Sequence, residues 1–236
     1  MERRQPSAQR LARVAGVFYL LVIVVAMPGM LALSRLLVPT DAAATAANLV
    51  AHGSIVGPAF AGTLLSTAAY VVVTGLFYWL FRPVSREVSL VAALFSLVGC
   101  ASGAMSALLL DGARLVLLGT HAQAMGAGMS QDVALLFTEL FARASASAWP
   151  FFGFYCLLIG WLIFASGFLP RLLGAGMAAG RFGYLTYLWP PLAHSLFPLN
   201  VIPGLIGESA LTLWLLFKGV DELRWIERSR GVDAEP

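Results

Sequence analysis

The sequence predicts an all-α protein, a polytopic helical bundle with six transmembrane helices and both termini on the cytoplasmic side. Three observations predict it: an extreme apolar composition, six separated apolar stretches, and basic residues gathered into alternate joins. Of the 236 residues, 59% are hydrophobic and 11% charged, against roughly 45–50% and about 25% in soluble domains. Such a chain has too little polar surface to cover a water-soluble fold. At about 20 residues per span it has room for six helices and short connections. One helical domain over residues 1–236 is the economical arrangement.

The six stretches are residues 14–33, 55–81, 88–110, 133–165, 172–189 and 201–217. The joins between them, "SRLLVPTD", "RPVSRE", "GTHAQAMGAGMSQD", "SGFLPR" and "PPLAHSLFPLN", concentrate proline, glycine and charge. The first join is long enough for a short surface helix, "TDAAATAANLVAH", with Thr40 or Asp41 as N-cap. Orientation follows from the basic residues, because cytoplasmic loops retain Lys and Arg. Arg3, Arg4, Arg10, Arg13, Arg82, Arg86, Arg171, Lys218, Arg224, Arg228 and Arg230 fall on one side, and Arg35 and Arg114 on the other. An even span count puts both termini on that basic side. The net charge of +3 is therefore topology and attraction to the lipid bilayer, and no nucleic-acid partner is read into it. The first apolar run exceeds the usual signal-peptide core, so it reads as an uncleaved helix. Cys100 and Cys156 both lie inside apolar runs and read as packing residues rather than as a disulfide framework.

Four stretches, "DAAATAANLVAH", "LFRPVSREVSLVAALF", "FGFYCLLIGWLIFASGFLPRLLG" and "LIGESALTLWLLFKGV", carry a likeness to a known family. From about Leu11 to Val220 the chain resembles domain-of-unknown-function family 4386, prokaryotic membrane proteins. The resemblance implies a six-helix fold and a cytoplasmic-membrane location, and it brings no activity. Relative to that family's pattern, Ser96 stands where an arginine is frequent, Tyr155 where a histidine is frequent, and Arg181 where an apolar residue is usual.

Buried charge is the informative exception in such a chain. Glu208 lies ten positions from Lys218, roughly 15 Å deep at 1.5 Å per residue. Arg181, nine positions past Leu172, lies about 14 Å deep in the preceding helix. Equal depth on adjacent helices makes them the expected intramembrane ion pair. Ser96, at about 12 Å on the same scale, marks the place from which the family's arginine has moved. Two readings follow for this centre: a contact for a small molecule or ion, as in a binder or transporter, or a packing pair in a structural or partner-binding protein.

Further charges gather toward the outer face. Asp111 and Arg114 are spaced i, i+3, and Glu139 and Arg143 i, i+4, the spacings of helix-surface pairs. Val133, Leu136, Phe137, Leu140 and Phe141 form the expected apolar stripe beside them. His52, His121 and His194 also fall at outer joins. With Asp111 they are the candidate ligands of a zinc site, which would make the protein an intramembrane metal-dependent hydrolase. No HxxxH or HExxH spacing supports that site. Haem is disfavoured because no histidine lies mid-span. Retinal is disfavoured because the sole lysine, Lys218, sits at a helix end. Gly99 with Gly103, and Gly176 with Gly180, are GxxxG steps of the kind that let helices approach. Oligomeric state has no signature in the sequence.

Overall fold

A computed structural model describes residues 7–38, 41–119 and 124–232. Every element among them is helical. Four are long: α1 (Ala8–Leu36), α3 (Gly53–Phe81), α4 (Arg86–Leu118) and α5 (Ala127–Ser166), with the short α2 (Ala42–Ala51) after the first. These four are long and apolar enough to cross a membrane, and only 22–50% of their most apolar windows is buried within the protein. The rest of that apolar surface faces outward, the inverse of a soluble bundle, where the apolar stripe faces the core.

The chain beyond residue 170 is more broken than one span per apolar stretch. The fifth stretch is built from α6 (Arg171–Ala179), α7 (Arg181–Leu185) and a 3₁₀ turn (Thr186–Leu188), interrupted at Gly180. The join "PPLAHSLF" contains a short helix, α8 (Pro190–Leu196), with proline in its first turn, where the missing N–H would have no helical partner anyway. The sixth stretch is α9 (Ile202–Phe217), and α10 (Glu222–Val232) follows it. Pro28, Pro58 and Pro150 all sit inside continuous helices.

The residues separate into two compact units, one of Met1–Leu21, Ala69–Gly99 and Trp149–Pro236, the other of Val22–Ala68 and Cys100–Ala148. The second unit has an apolar interior of Leu33, Leu36, Leu49, Val56, Ala59, Leu110, Ala113 and Ala134, with Phe137 and Phe141 packed on it. Here α2 finishes the end of α1. Asn48 donates to the Leu36 carbonyl at 3.0 Å, and the Thr45 hydroxyl both donates to and accepts from the Val38 backbone. The last carbonyls of a helix otherwise lack partners. Asp41 is the N-cap of α2, accepting from the Ala44 N–H at 2.8 Å; Thr40 lies outside the described residues. Ala134 and Thr138 are the buried positions of this part of α5, whereas Leu136 and Leu140 are 54% and 40% exposed. The buried face is therefore rotated from the stripe expected.

The first unit ends in a clasp formed by α10. Trp225, buried, donates its indole N–H to the Leu80 carbonyl at 2.9 Å, Arg224 donates to Gly167 and Arg228 to Ala165. Gln9 joins the same structure: its amide donates to the Lys218 carbonyl and accepts from the Val220 N–H. Gly219 takes φ +72° between those two groups, a conformation that costs glycine little. The ends of α3 and α5 and the first turns of α1 are thus tied by one C-terminal segment.

Candidate functional site

The polar centre lies in the first unit, and glycine places it. A β-carbon on Gly174 would fall 2.8 Å from the Gly160 carbonyl, one on Gly207 2.6 Å from the Gly176 carbonyl, and one on Gly180 2.5 Å from the Gly204 Cα. Such contacts leave no space for a side chain, so α6 lies backbone against backbone between α5 and α9. Small residues permit that approach in membranes, where dispersion packing rather than water exclusion drives helix association. The second GxxxG step behaves differently: Gly99 receives the ring of Phe152 rather than a helix backbone.

Immediately after Gly180 comes Arg181, whose side chain is completely buried. Its Nε donates to the Met177 carbonyl at 3.0 Å and its Nη2 approaches the Met177 sulfur at 3.5 Å. Nη1 lies 3.2 Å from Glu208 Oε1, close enough for an ion pair though without hydrogen-bond alignment. The guanidinium also stands 4.6 Å above the Tyr184 ring, within the range of a cation–π contact. A buried arginine needs this many neighbours, because an unpaired buried charge is heavily penalised.

Around the pair the interior is polar. The Cys156 thiol lies 3.9 Å from Glu208 Oε1, and Thr212 returns its hydroxyl to the Glu208 carbonyl at 2.7 Å. Tyr19 and Tyr70 bring their hydroxyls to 3.3 Å of one another. The Tyr70 ring packs against Phe152 and Tyr155, and Trp149 sets its ring edge-on to Tyr184. The Tyr184 hydroxyl is buried and makes no hydrogen bond within the described residues.

Ser96 is fully buried, and its hydroxyl is hydrogen-bonded to that of Thr74, which also donates to the Tyr70 carbonyl. In the other unit Asp111 and Arg114 approach to 4.0 Å while partly exposed. Glu139 and Arg143 are both exposed, and no ion pair joins them among the described residues. Holding two long side chains together at a surface gains little. His52 sits at the end of α2 with its Nδ1 3.1 Å from the Asn48 carbonyl, and His194 is exposed on α8. His121 lies outside the described residues. Among those described, no three His, Cys, Asp or Glu side chains converge as a metal would require.

Sequence reasoning missed the tyrosines and Cys156. A signal was present, because Tyr19, Tyr70 and Tyr155 stand inside apolar runs. A tyrosine favours the membrane interface, and one away from it needs a partner for its hydroxyl.

Four long apolar helices and a buried charge pair define a helical protein of membrane type. The chain belongs to the family described as "Domain of unknown function (DUF4386)", which matches residues 14–219. It is also similar to an uncharacterised protein of Archaeoglobus fulgidus, 26% identical over 159 residues, a stretch covering 67% of this chain and 82% of that one. No solved structure matches.

Proposed function

We propose that the chain crosses the cytoplasmic membrane six times, with both termini inside, and that its polar centre binds a small polar ligand or ion without catalysing a reaction. One observation carries the binding reading. The Arg181 side chain is 0% exposed and that of Glu208 13%. The buried guanidinium lies beside the carboxylate, and the carboxylate keeps an exposed edge at which a proton, cation or hydrogen-bond donor would meet it. A carboxylate at membrane depth is costly and defaults to such a role.

Helix lengths and charge placement support the topology. The fifth stretch, Arg171 to Leu188, and the 16 residues of α9 extend roughly 27 and 24 Å at 1.5 Å per residue. Those lengths approach the hydrocarbon thickness of about 30 Å, and the basic residues gather in alternate joins, on one side, as six spans with both termini inside require. Reporter fusions after Arg35, Arg82, Gly119, Arg171, Leu199 and Arg230 test it. Activity at Arg35, Gly119 and Leu199 alone of a reporter that works only outside the cytoplasm is expected; the same activity at Arg230 would overturn the even count.

A packing role for the pair is the second reading, favoured by the glycine contacts and by the return of Arg181 Nε to Met177. Purified Glu208→Gln, Arg181→Leu and the double variant, melted in detergent with and without a panel of inorganic ions, amines and carboxylates, separate the two. Binding predicts a ligand-dependent rise in Tm for the wild type that Glu208→Gln abolishes. Packing predicts no ligand effect in any variant, with the loss on breaking the pair largely recovered in the double variant.

A further inference from the structure

A second polar site lies in the first unit, at the clasp and apart from the Arg181 centre. The loop after α5, the end of α9 and the start of α10 line an open surface cavity of about 440 Å³ whose lining includes Gly167, Pro170, Trp214, Lys218, Asp221 and Arg224. Its charges are unequally engaged. Arg224 pairs with Asp221 at 3.3 Å and donates to the Gly167 carbonyl, so the carboxylate is already answered within the protein. Lys218 has no ion-pair partner among the described residues, and its side chain is exposed. The cavity therefore offers an uncommitted ammonium beside a guanidinium whose remaining N–H groups extend the donor set.

Exposed apolar side chains adjoin the lining residues along the chain. Leu172, two residues from Pro170, is 81% exposed, and Phe217, next to Lys218, is 75% exposed; Leu223, next to Arg224, is 76% exposed. In water three such side chains would be a liability, whereas at a bilayer surface they face acyl chains. A ligand satisfying both features has an anionic head for Lys218 and Arg224 and an apolar body for Leu172 and Phe217.

From this arrangement we infer that the cavity binds a phosphate-bearing anion, and that the exposed apolar side chains adjoining its lining residues in the chain make the source an anionic phospholipid headgroup. Basic residues beside membrane helices are the usual attraction for such lipids, and Trp214 in the lining supplies a ring of the kind favoured at headgroup depth. The inference rests on the membrane reading alone and stands or falls independently of Glu208.

The test uses full-length protein in neutral detergent, with phosphatidylglycerol, phosphatidylcholine and inorganic phosphate as probes and native mass spectrometry as readout. Phosphatidylglycerol should be retained at least about fivefold better than phosphatidylcholine, with the preference lost in Lys218→Gln, kept in Lys218→Arg and unchanged in Arg35→Gln. The Lys218→Arg variant separates loss of charge from loss of fold. If inorganic phosphate binds with the same dependence on Lys218 and phosphatidylglycerol does not, the site takes a soluble phosphoanion and the lipid assignment falls. Equal retention of both lipids, or an undiminished preference in Lys218→Gln, would overturn the site itself.

Discussion

The two units bury different things. In the unit of residues 22–68 and 100–148 the interior is leucine, valine and alanine closed by phenylalanines. In the other, a guanidinium, a carboxylate, a thiol and several phenols share the interior with aliphatic residues. An apolar interior gains from dispersion and tolerates rearrangement of its contents, whereas a polar one is held to a single arrangement because each group must keep its partner. The contrast teaches that the second kind of interior is specified by pairs, and that damage to it should be larger and less forgiving per atom removed.

Substitutions can break that contrast at graded strength. Arg181→Leu should be the most damaging, because it strands Glu208 and vacates a volume filled on every side; a loss of about 3–5 kcal/mol is expected from chemical denaturation in detergent. Leu110→Ala, in the apolar unit, should cost about 2–3 kcal/mol through its cavity. Were it to match Arg181→Leu, the distinction between the interiors would lose its force. Gly207→Ala puts a methyl 2.6 Å from the Gly176 carbonyl, and the overpacking should cost about 1–3 kcal/mol; a neutral result would show that α6 and α9 can separate freely. Asp41→Ala removes one cap and should lower stability by about 1 kcal/mol, with Asp41→Asn restoring most of it. Arg143→Gln, on an exposed residue with no ion pair among the described residues, should stay within about 0.5 kcal/mol of wild type.

Much of this was legible in the sequence, for identifiable reasons. The long apolar helices follow from composition and length, and the pairing of Arg181 with Glu208 from counting depth at 1.5 Å per residue, since two charges in an apolar medium have few places to go. The glycine contacts were half visible. Gly176 and Gly180 have the familiar four-residue spacing, but their counterparts Gly207 and Gly204 are three apart and do not read as a motif. The tyrosines escaped because each comes from a different part of the chain, and convergence across such separations leaves no local pattern. On α4 the sequence offered only Ser96, read as the place from which the family's arginine has moved, and its hydroxyl is bonded to that of Thr74. At the C-terminus, basic residues that read as orientation signals also serve as hydrogen-bond donors, and Trp225 is buried against the Leu80 carbonyl. Charge counting cannot distinguish an arginine that faces lipid headgroups from one that finishes a helix.

The C-terminal clasp also orders events during synthesis. The carbonyls of Leu80, Ala165 and Gly167, and the amide of Gln9, are all translated before their partners between Lys218 and Arg228. Until those partners leave the ribosome, these helix ends have water as their partner instead. Docking of the segment from Lys218 to Arg228 is therefore the step that completes helix ends made long before it.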